Sequence, residues 1–398
     1  MQTITIKAGA GSLSLAIRLL SLFWLLTKII TCKLWLTNRL FPIVPIHERF
    51  VVPGFIHLLF FVASIVALLA LIYRPQLKKA ATLLIIAEIY SCMLDQNRWQ
   101  PWEYQFVFML LPLVFSRDEN RLQTCWQIIL IGLYFFSGLS KLNQKFILQG
   151  WNGMILHDWM GYTNSNVWVY KIGYLLPLIE IFSALALLFN GGRKIAVVLL
   201  CAMHGFILLM FGPAGLNINI ALWPWNTLMP LLLLILFYRK QLSWPAVIQK
   251  KSLVWFTIFC WWVLPWLNLF GKLDDFFSAK LFSGKTQYLF ICTSNPHTKK
   301  LFSDYFAASS RSSVCDSSIS VFKWGIQEMK VPPNPELRIY KKIIREWERK
   351  YDSSSSDKFM ILNSKFSAEK WSLIYDELKY SALFVVCLVS FDFVMGMI

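Results

Sequence analysis

Apolar runs recur along roughly the first 270 residues, each near the length of a membrane-crossing helix, with short charged stretches between them. A hydrocarbon core about 30 Å thick needs roughly 20 helical residues, and it holds no water to satisfy exposed backbone groups. Helices are therefore the only open-chain way across. The runs fall at about 13–36, 55–73, 80–95, 104–115, 122–140, 166–190, 194–211, 217–237 and 253–269. The fourth is short for a full crossing. Lys28 and Lys33 interrupt the first, which is compatible with part of it lying in the interface. At 57% hydrophobic and 15% charged, the chain is too apolar for an ordinary soluble protein. The expected fold class is an all-α polytopic membrane helical bundle of about eight to nine transmembrane helices, followed by a small mixed α+β extracytoplasmic domain.

The net charge of +17 does not indicate nucleic acid, because the basic residues are spread over many loops rather than gathered on one face. Topology accounts for it. The loops 74–79, 116–123, 190–194 and 238–252 carry Arg74, Lys78, Lys79, Arg117, Arg121, Arg193, Lys194, Arg239, Lys240, Lys250 and Lys251, and so belong inside. The alternate loops 96–103, 141–165 and 212–219 hold only Arg98, Lys141 and Lys145 among basic residues, and belong outside. An odd number of crossings then exports everything after residue 270. The partners implied at this level are the bilayer and, through the positive charge, anionic lipid. The region after Lys7 lacks a compact apolar core with a small-residue cleavage site, so no cleavable signal peptide is expected.

Composition shifts near Gly271, which divides the chain into a membrane domain (1–270), a soluble domain (271–352), and a Ser-rich linker with an apolar end (353–398). TQYLFICTS at 286–294 reads as a strand, SSISVFKWGIQEM as a second strand candidate, and PELRIYKKIIREWERKY at 335–351 as a helix opened by proline. The last run, 381–398, contains Asp392 and suits a further crossing, a docked helix or a misjudged end equally. Cys32, Cys92, Cys125, Cys201, Cys260 and Cys387 lie in or beside apolar runs, with no CxxC or Cys/His metal spacing, so no metal site is expected. Cys292 and Cys315 fall in the exported region, where a disulfide is allowed.

Burying an ionisable group in lipid costs roughly 2.5 to 3.5 kcal/mol, so Glu88, Asp95, Glu180 and His204 inside apolar helices need a reason. They either pair with polar groups on neighbouring helices or line a shared polar cavity. Glu88 and Asp95, seven apart, share a helix face. In YFFSGLSKLNQKFILQGW, 134–151, a helix sets Tyr134, Ser137, Gly138 and Lys141 along one side. Lys141 either snorkels to the headgroups or enters an apolar pocket as a general base. Two further motifs fall on the outer side. DQNRWQPWEYQ, 95–105, brings Trp99 and Trp102, and GLNINIALWPWN, 215–226, brings Asn217, Asn219, Trp225 and Asn226, with Pro224 expected to break the helix. Both are compatible with an outward-opening site.

Tyr134, Gly138, Lys141, Leu142 and Gly150 in that segment resemble the stretch carrying the catalytic lysine of vitamin K-dependent gamma-carboxylases and their bacterial relatives, the horizontally transferred transmembrane (HTTM) domain proteins. Asp95, Trp99 and Tyr104, PLIEIF at 177–182, the histidine of CAMHGF, WPWN, the LPWLNLFGKLDDFF junction and VPPNPELRIY are similar to family motifs in the same order. The resemblance covers most of residues 55–350. It implies a bacterial plasma (inner) membrane protein, with reduced vitamin K or another quinone as cofactor and a protein substrate on the extracytoplasmic side. Lys141 would be the base and His204 a second catalytic residue. Asp95, Trp102, Tyr104, Tyr134, Glu180, Asn219, Trp225 and Asn226 would shape the substrate site. One departure bears on the chemistry: where the carboxylases have a histidine just ahead of the tyrosine, this chain has Trp102, and an indole takes up no proton.

Three functions stand at this stage. The first is a membrane enzyme acting on a quinone-type lipid, carboxylase- or epoxidase-like or a quinone-linked oxidoreductase. The second is a non-enzymatic DoxX-like binding or assembly factor of envelope redox systems. The third is a transporter, favoured by the embedded carboxylates and disfavoured by the lack of an inverted repeat.

Overall fold

The computed structural model describes residues 10–116, 118–163, 166–238, 252–307, 318–351 and 357–362. Helices α1 (Ala10–Ile30) and α2 (Cys32–Trp35) are followed by α3 (Gly54–Tyr73), α4 (Lys78–Leu94), α5 (Pro101–Phe115) and α6 (Glu119–Lys141). A π-helical segment, Phe146–Trp159, leads to α7 (Val167–Ile172), α8 (Leu175–Ala186), α9 (Arg193–Phe211) and α10 (Leu222–Leu233), the last running on in π geometry to Tyr238. Helix α11 (Ser252–Ile258) continues through π and 3-10 turns to Phe270.

Among the described residues, six helices are long and apolar enough to cross a membrane: Gly11–Ile30, Gly54–Tyr73, Glu119–Lys141, Val167–Ala186, Arg193–Phe211 and Ser252–Phe270. Helices α4, α5 and Leu222–Tyr238 are shorter. The chain is thus a helical bundle of membrane type. Its most enclosed span is α6, with 78% of its apolar window buried against 28% for α3. The helix carrying Tyr134 and Lys141 is therefore the most enclosed of these six.

Several expected boundaries shift for local reasons. The run 166–190 divides into α7 and α8 and ends at Ala186. Gly173 lies so close under Trp151 that an added Cβ would meet the ring at 2.5 Å, and Pro177 has no N–H to offer the carbonyl one turn back. Helix α10 starts at Leu222 rather than 217, because Asn217 and Asn219 take left-handed backbone at φ 48° and 53°. Pro224 does not break that helix: it sits in the first turn, where its missing N–H has no partner to lose. The segment 141–165, read as a loop, contains the π-helical turn with Phe146, Ile147 and Ile155 buried. Lys28 does not leave the first helix for the interface. It is buried against Glu88, Nζ to Oε2 at 2.7 Å.

After Gly271 the chain forms a three-stranded antiparallel sheet, order β2-β1-β3, from β1 (Tyr288–Cys292), β2 (Ile319–Ser320) and β3 (Lys358–Leu362). Helices α12 (Pro296–Leu301), α13 (Val321–Met329) and α14 (Leu337–Lys350) accompany it. The strand expected over SSISVFKWGIQEM is only Ile319–Ser320. The remainder is α13, because Val321, Trp324, Gly325 and Met329 bury one helical face and the Ser320 hydroxyl accepts from the Lys323 N–H at 3.3 Å. Phe302 meets Trp324 edge-on at 5.0 Å and Trp347 at a tilt at 4.8 Å, and Phe41 of the bundle meets Trp324 at 4.7 Å. The two hydrophobic cores are continuous. Cys292 is disulfide-bonded; Cys315, the Ser-rich stretch 353–356 and the run 381–398 lie outside the described residues.

Contacts between loops mark two ends of the bundle. Gln100 donates to the Pro332 carbonyl at 3.0 Å, Asn143 to that of Ser283 at 3.0 Å, and Leu40 N–H to Glu328 at 3.0 Å, so the region after 271 caps one end. At the other, Gln76 reaches Glu119 at 3.1 Å and Lys78 the Val114 carbonyl at 3.0 Å.

Candidate functional site

Gly138 is the residue that lets the site form. A Cβ there would meet Ile181 Cγ1 at 2.8 Å and the Pro177 carbonyl at 2.9 Å, so only glycine allows α8 to lie this close to α6. The close approach brings Glu180 to Lys141, Nζ to Oε2 at 2.7 Å, while Nζ also donates to Ser137 Oγ at 2.7 Å. Lys141 does not snorkel. It turns back along its own helix into an ion pair whose side chains are 16% and 5% exposed.

One helical turn deeper, α9 supplies His204 to the same face of α6. The Tyr134 hydroxyl and His204 Nε2 are 2.7 Å apart, and His204 Nδ1 lies 2.8 Å from Asn226 Oδ1 on α10. The Asn226 amide is oriented by its Nδ2, which donates to the Leu222 carbonyl at 2.9 Å. Trp225 beside it donates to Gln105 Oε1 at 2.8 Å and faces Trp102 at 6.0 Å between ring centroids.

These groups border a cavity of about 370 Å³, within the usual size of small-molecule sites. Lys141, Ser137, Glu180, Tyr134, His204 and Asn226 are its polar wall. The rest is apolar, with Leu133, Met154, Ile155, Phe206, Ile207 and Met210 among the lining side chains. Its lining reaches the surface at Ile179 of α8 and Leu199 of α9, 39% and 41% exposed, at exposed Ala202 near the midpoint of α9, and at Phe282 after residue 271, 38% exposed.

The expected convergence of carboxylates, histidine and lysine is therefore divided. Lys141, His204, Glu180, Tyr134, Trp225 and Asn226 line the cavity. Glu88 and Asp95 do not, and they do not share a helix face: Asp95 is the C-cap of α4, in extended backbone, where it pairs with Arg39 and accepts from Val44 N–H at 3.3 Å. Trp102 stands behind Trp225 and borders, with Asn219, a separate small cavity against the domain after 271. Tyr104 stacks on Trp99 at 4.5 Å and turns its hydroxyl toward Asp274.

A second buried polar centre escaped the sequence reading. Lys28 pairs with Glu88 and sits 3.0 Å from the Trp35 ring centroid, while Trp24 donates to Glu103 at 3.0 Å. Lys28 inside an apolar run was the available signal. The cavity's second wall, from the Phe146–Trp159 segment, had none beyond scattered apolar residues. Among the described residues no group of three or more His, Cys, Asp or Glu could hold a metal ion. No family model matches the chain, nor does any curated protein or solved structure.

Proposed function

We propose that this is an integral membrane protein that binds and acts on a quinone- or quinol-type lipid in the Lys141 cavity, similar in this to vitamin K-dependent gamma-carboxylases and the HTTM proteins. The observation that carries the reading is the pairing of an apolar entrance, exposed at α8, α9 and Phe282, with one polar wall. An isoprenoid or alkyl tail suits the entrance, and a ring bearing oxygen suits the wall. A water-soluble substrate does not suit the apolar lining.

Lys141 serves the ring oxygen in this reading, held in place by Glu180 and Ser137. The disulfide at Cys292 agrees with an extracytoplasmic location for the domain after residue 270, and the positive loops at the far end agree with a cytoplasmic face there. That domain would then be where a protein substrate meets the bundle. Transport has less support, because Glu88 and Asp95 are each neutralised by a buried cation away from the cavity and Glu180 is paired with Lys141.

The test is binding of a short-chain menaquinone, oxidised and reduced, to the purified chain in nanodiscs, against Lys141→Ala. Saturable binding to the native chain, weakened about tenfold or more by the substitution, is expected for loss of a charged hydrogen-bond donor. Absence of saturable binding to the native chain in either redox form would refute the reading.

A further inference from the structure

Hydrogen-bond accounting along the cavity wall assigns each proton. The Leu222 carbonyl can only accept, so Asn226 Nδ2 points to it and Asn226 Oδ1 must face His204. Oδ1 is an acceptor, so His204 Nδ1 carries a proton. The Tyr134 hydroxyl then donates to Nε2, which keeps the imidazole's lone pair. Among the described residues the Tyr134 oxygen has no donor of its own, and Tyr134 is one of the residues lining the cavity. It therefore presents a hydrogen-bond acceptor to whatever occupies that space.

This changes which group is fitted to take a proton from a ligand. Lys141 is an ammonium paired with Glu180 and already donating to Ser137. As it stands it can give or stabilise charge and has no lone pair to accept with. Tyr134 and Lys141 lie on one side of α6, and the turned-back lysine places its Nζ at the level of Ser137, about one helical turn from Tyr134.

We propose that Tyr134, His204 and Asn226 form a proton relay in which the tyrosine oxygen receives the hydroxyl of a phenol- or quinol-type ring and the imidazole takes up the proton. The proposal rests on the ligand class put forward above. In the step, the ligand O–H bond breaks and its proton joins the Tyr134 oxygen as the tyrosine's own proton moves to His204 Nε2. The ligand keeps the electron pair as an aryloxide beside the Lys141 ammonium, and no redox change occurs. Asn226 is a positioning residue: it holds the tautomer that leaves Nε2 free to accept. The arrangement selects the hydroxyl-bearing form of the ring, because a carbonyl or ether oxygen opposite Tyr134 would set two acceptors against each other.

The experiment uses the full chain in nanodiscs with 2-naphthol and 2-methoxynaphthalene, corrected for empty nanodiscs. Naphthol is the better probe because excitation makes it a strong acid, so its naphtholate emission reports a proton acceptor at the site. The native chain is expected to bind naphthol about tenfold tighter than the ether, the usual consequence of leaving a buried acceptor unpaired. Tyr134→Phe should bring that ratio close to one by weakening naphthol while leaving the ether unchanged. His204→Gln should keep the preference for naphthol yet lose the naphtholate emission, since an amide can accept the tyrosine's hydrogen bond and cannot take its proton. Retention of the preference in Tyr134→Phe, or of the emission in His204→Gln, overturns the relay while leaving the cavity reading intact. Failure of the native chain to bind either compound overturns the ligand class and the relay with it.

Discussion

Replacing Glu88 by Gln is expected to cost much more stability than replacing Glu180 by Gln, although both glutamates sit 2.7 Å from a lysine Nζ. The difference is burial. Lys28 and Glu88 are both 0% exposed, so Glu88→Gln strands an ammonium inside the bundle, and removing one partner of such a pair costs about 3–5 kcal/mol. The Trp35 ring, 3.0 Å from that Nζ, contributes equally before and after and does not offset the loss. A neutral Gln oxygen can still accept one hydrogen bond, which puts the expected cost near the lower end, about 3 kcal/mol. Lys141 is 16% exposed and keeps Ser137 as an acceptor, so Glu180→Gln should cost about 1 kcal/mol. Reversible unfolding in mixed SDS micelles, followed by tryptophan fluorescence, measures both. The double change Lys28→Met with Glu88→Leu should recover most of the loss, because it removes both charges together. Equal costs for the two Gln variants, or a double variant as unstable as the single one, would refute the argument from burial.

Two other substitutions probe the site. Gly138→Val places side-chain atoms where Ile181 and the Pro177 carbonyl already lie, and should destabilise the bundle by about 1–3 kcal/mol in the same assay while weakening naphthol binding, since Glu180 no longer reaches Lys141. Ala202→Trp at the mouth should slow naphthol association in stopped-flow measurements without changing stability. An unaltered rate would mean that ligands enter elsewhere.

What the chain declares locally, it declares well. Lipid forces each crossing to satisfy its own backbone, so the apolar runs behind α3, α6 and α9 could be read without knowing their neighbours. The charge difference between the loops at 74–79 and 116–123 and those at 96–103 and 141–165 is likewise local, and the contacts of Gln100, Asn143 and Gln76 show which of these loops meets the region after 271. Period decided α14, where Ile339, Tyr340, Ile343 and Trp347 bury one face. The same signal, read as alternation, misplaced α13, because its apolar residues follow a two-residue strand without a break.

Partnership is another matter. Lys141 meets Glu180 across 39 residues, Lys28 meets Glu88 across 60 and Tyr134 meets His204 across 70. By sequence alone the lysine of α6 had equal claim to Glu88, Asp95 or Glu180, and to none of them if it turned to the headgroups. The close approach at Gly138 decided it, since van der Waals contact between α6 and α8 sets which side chains share a gap. Residue type and spacing are enough to establish membrane-type helices and which side chains are costly to bury among them, because the cost of burial is local. Which of those residues meet, and that Tyr134 rather than Lys141 offers the cavity an acceptor, follows from helix packing, because a hydrogen bond's direction depends on both of its ends.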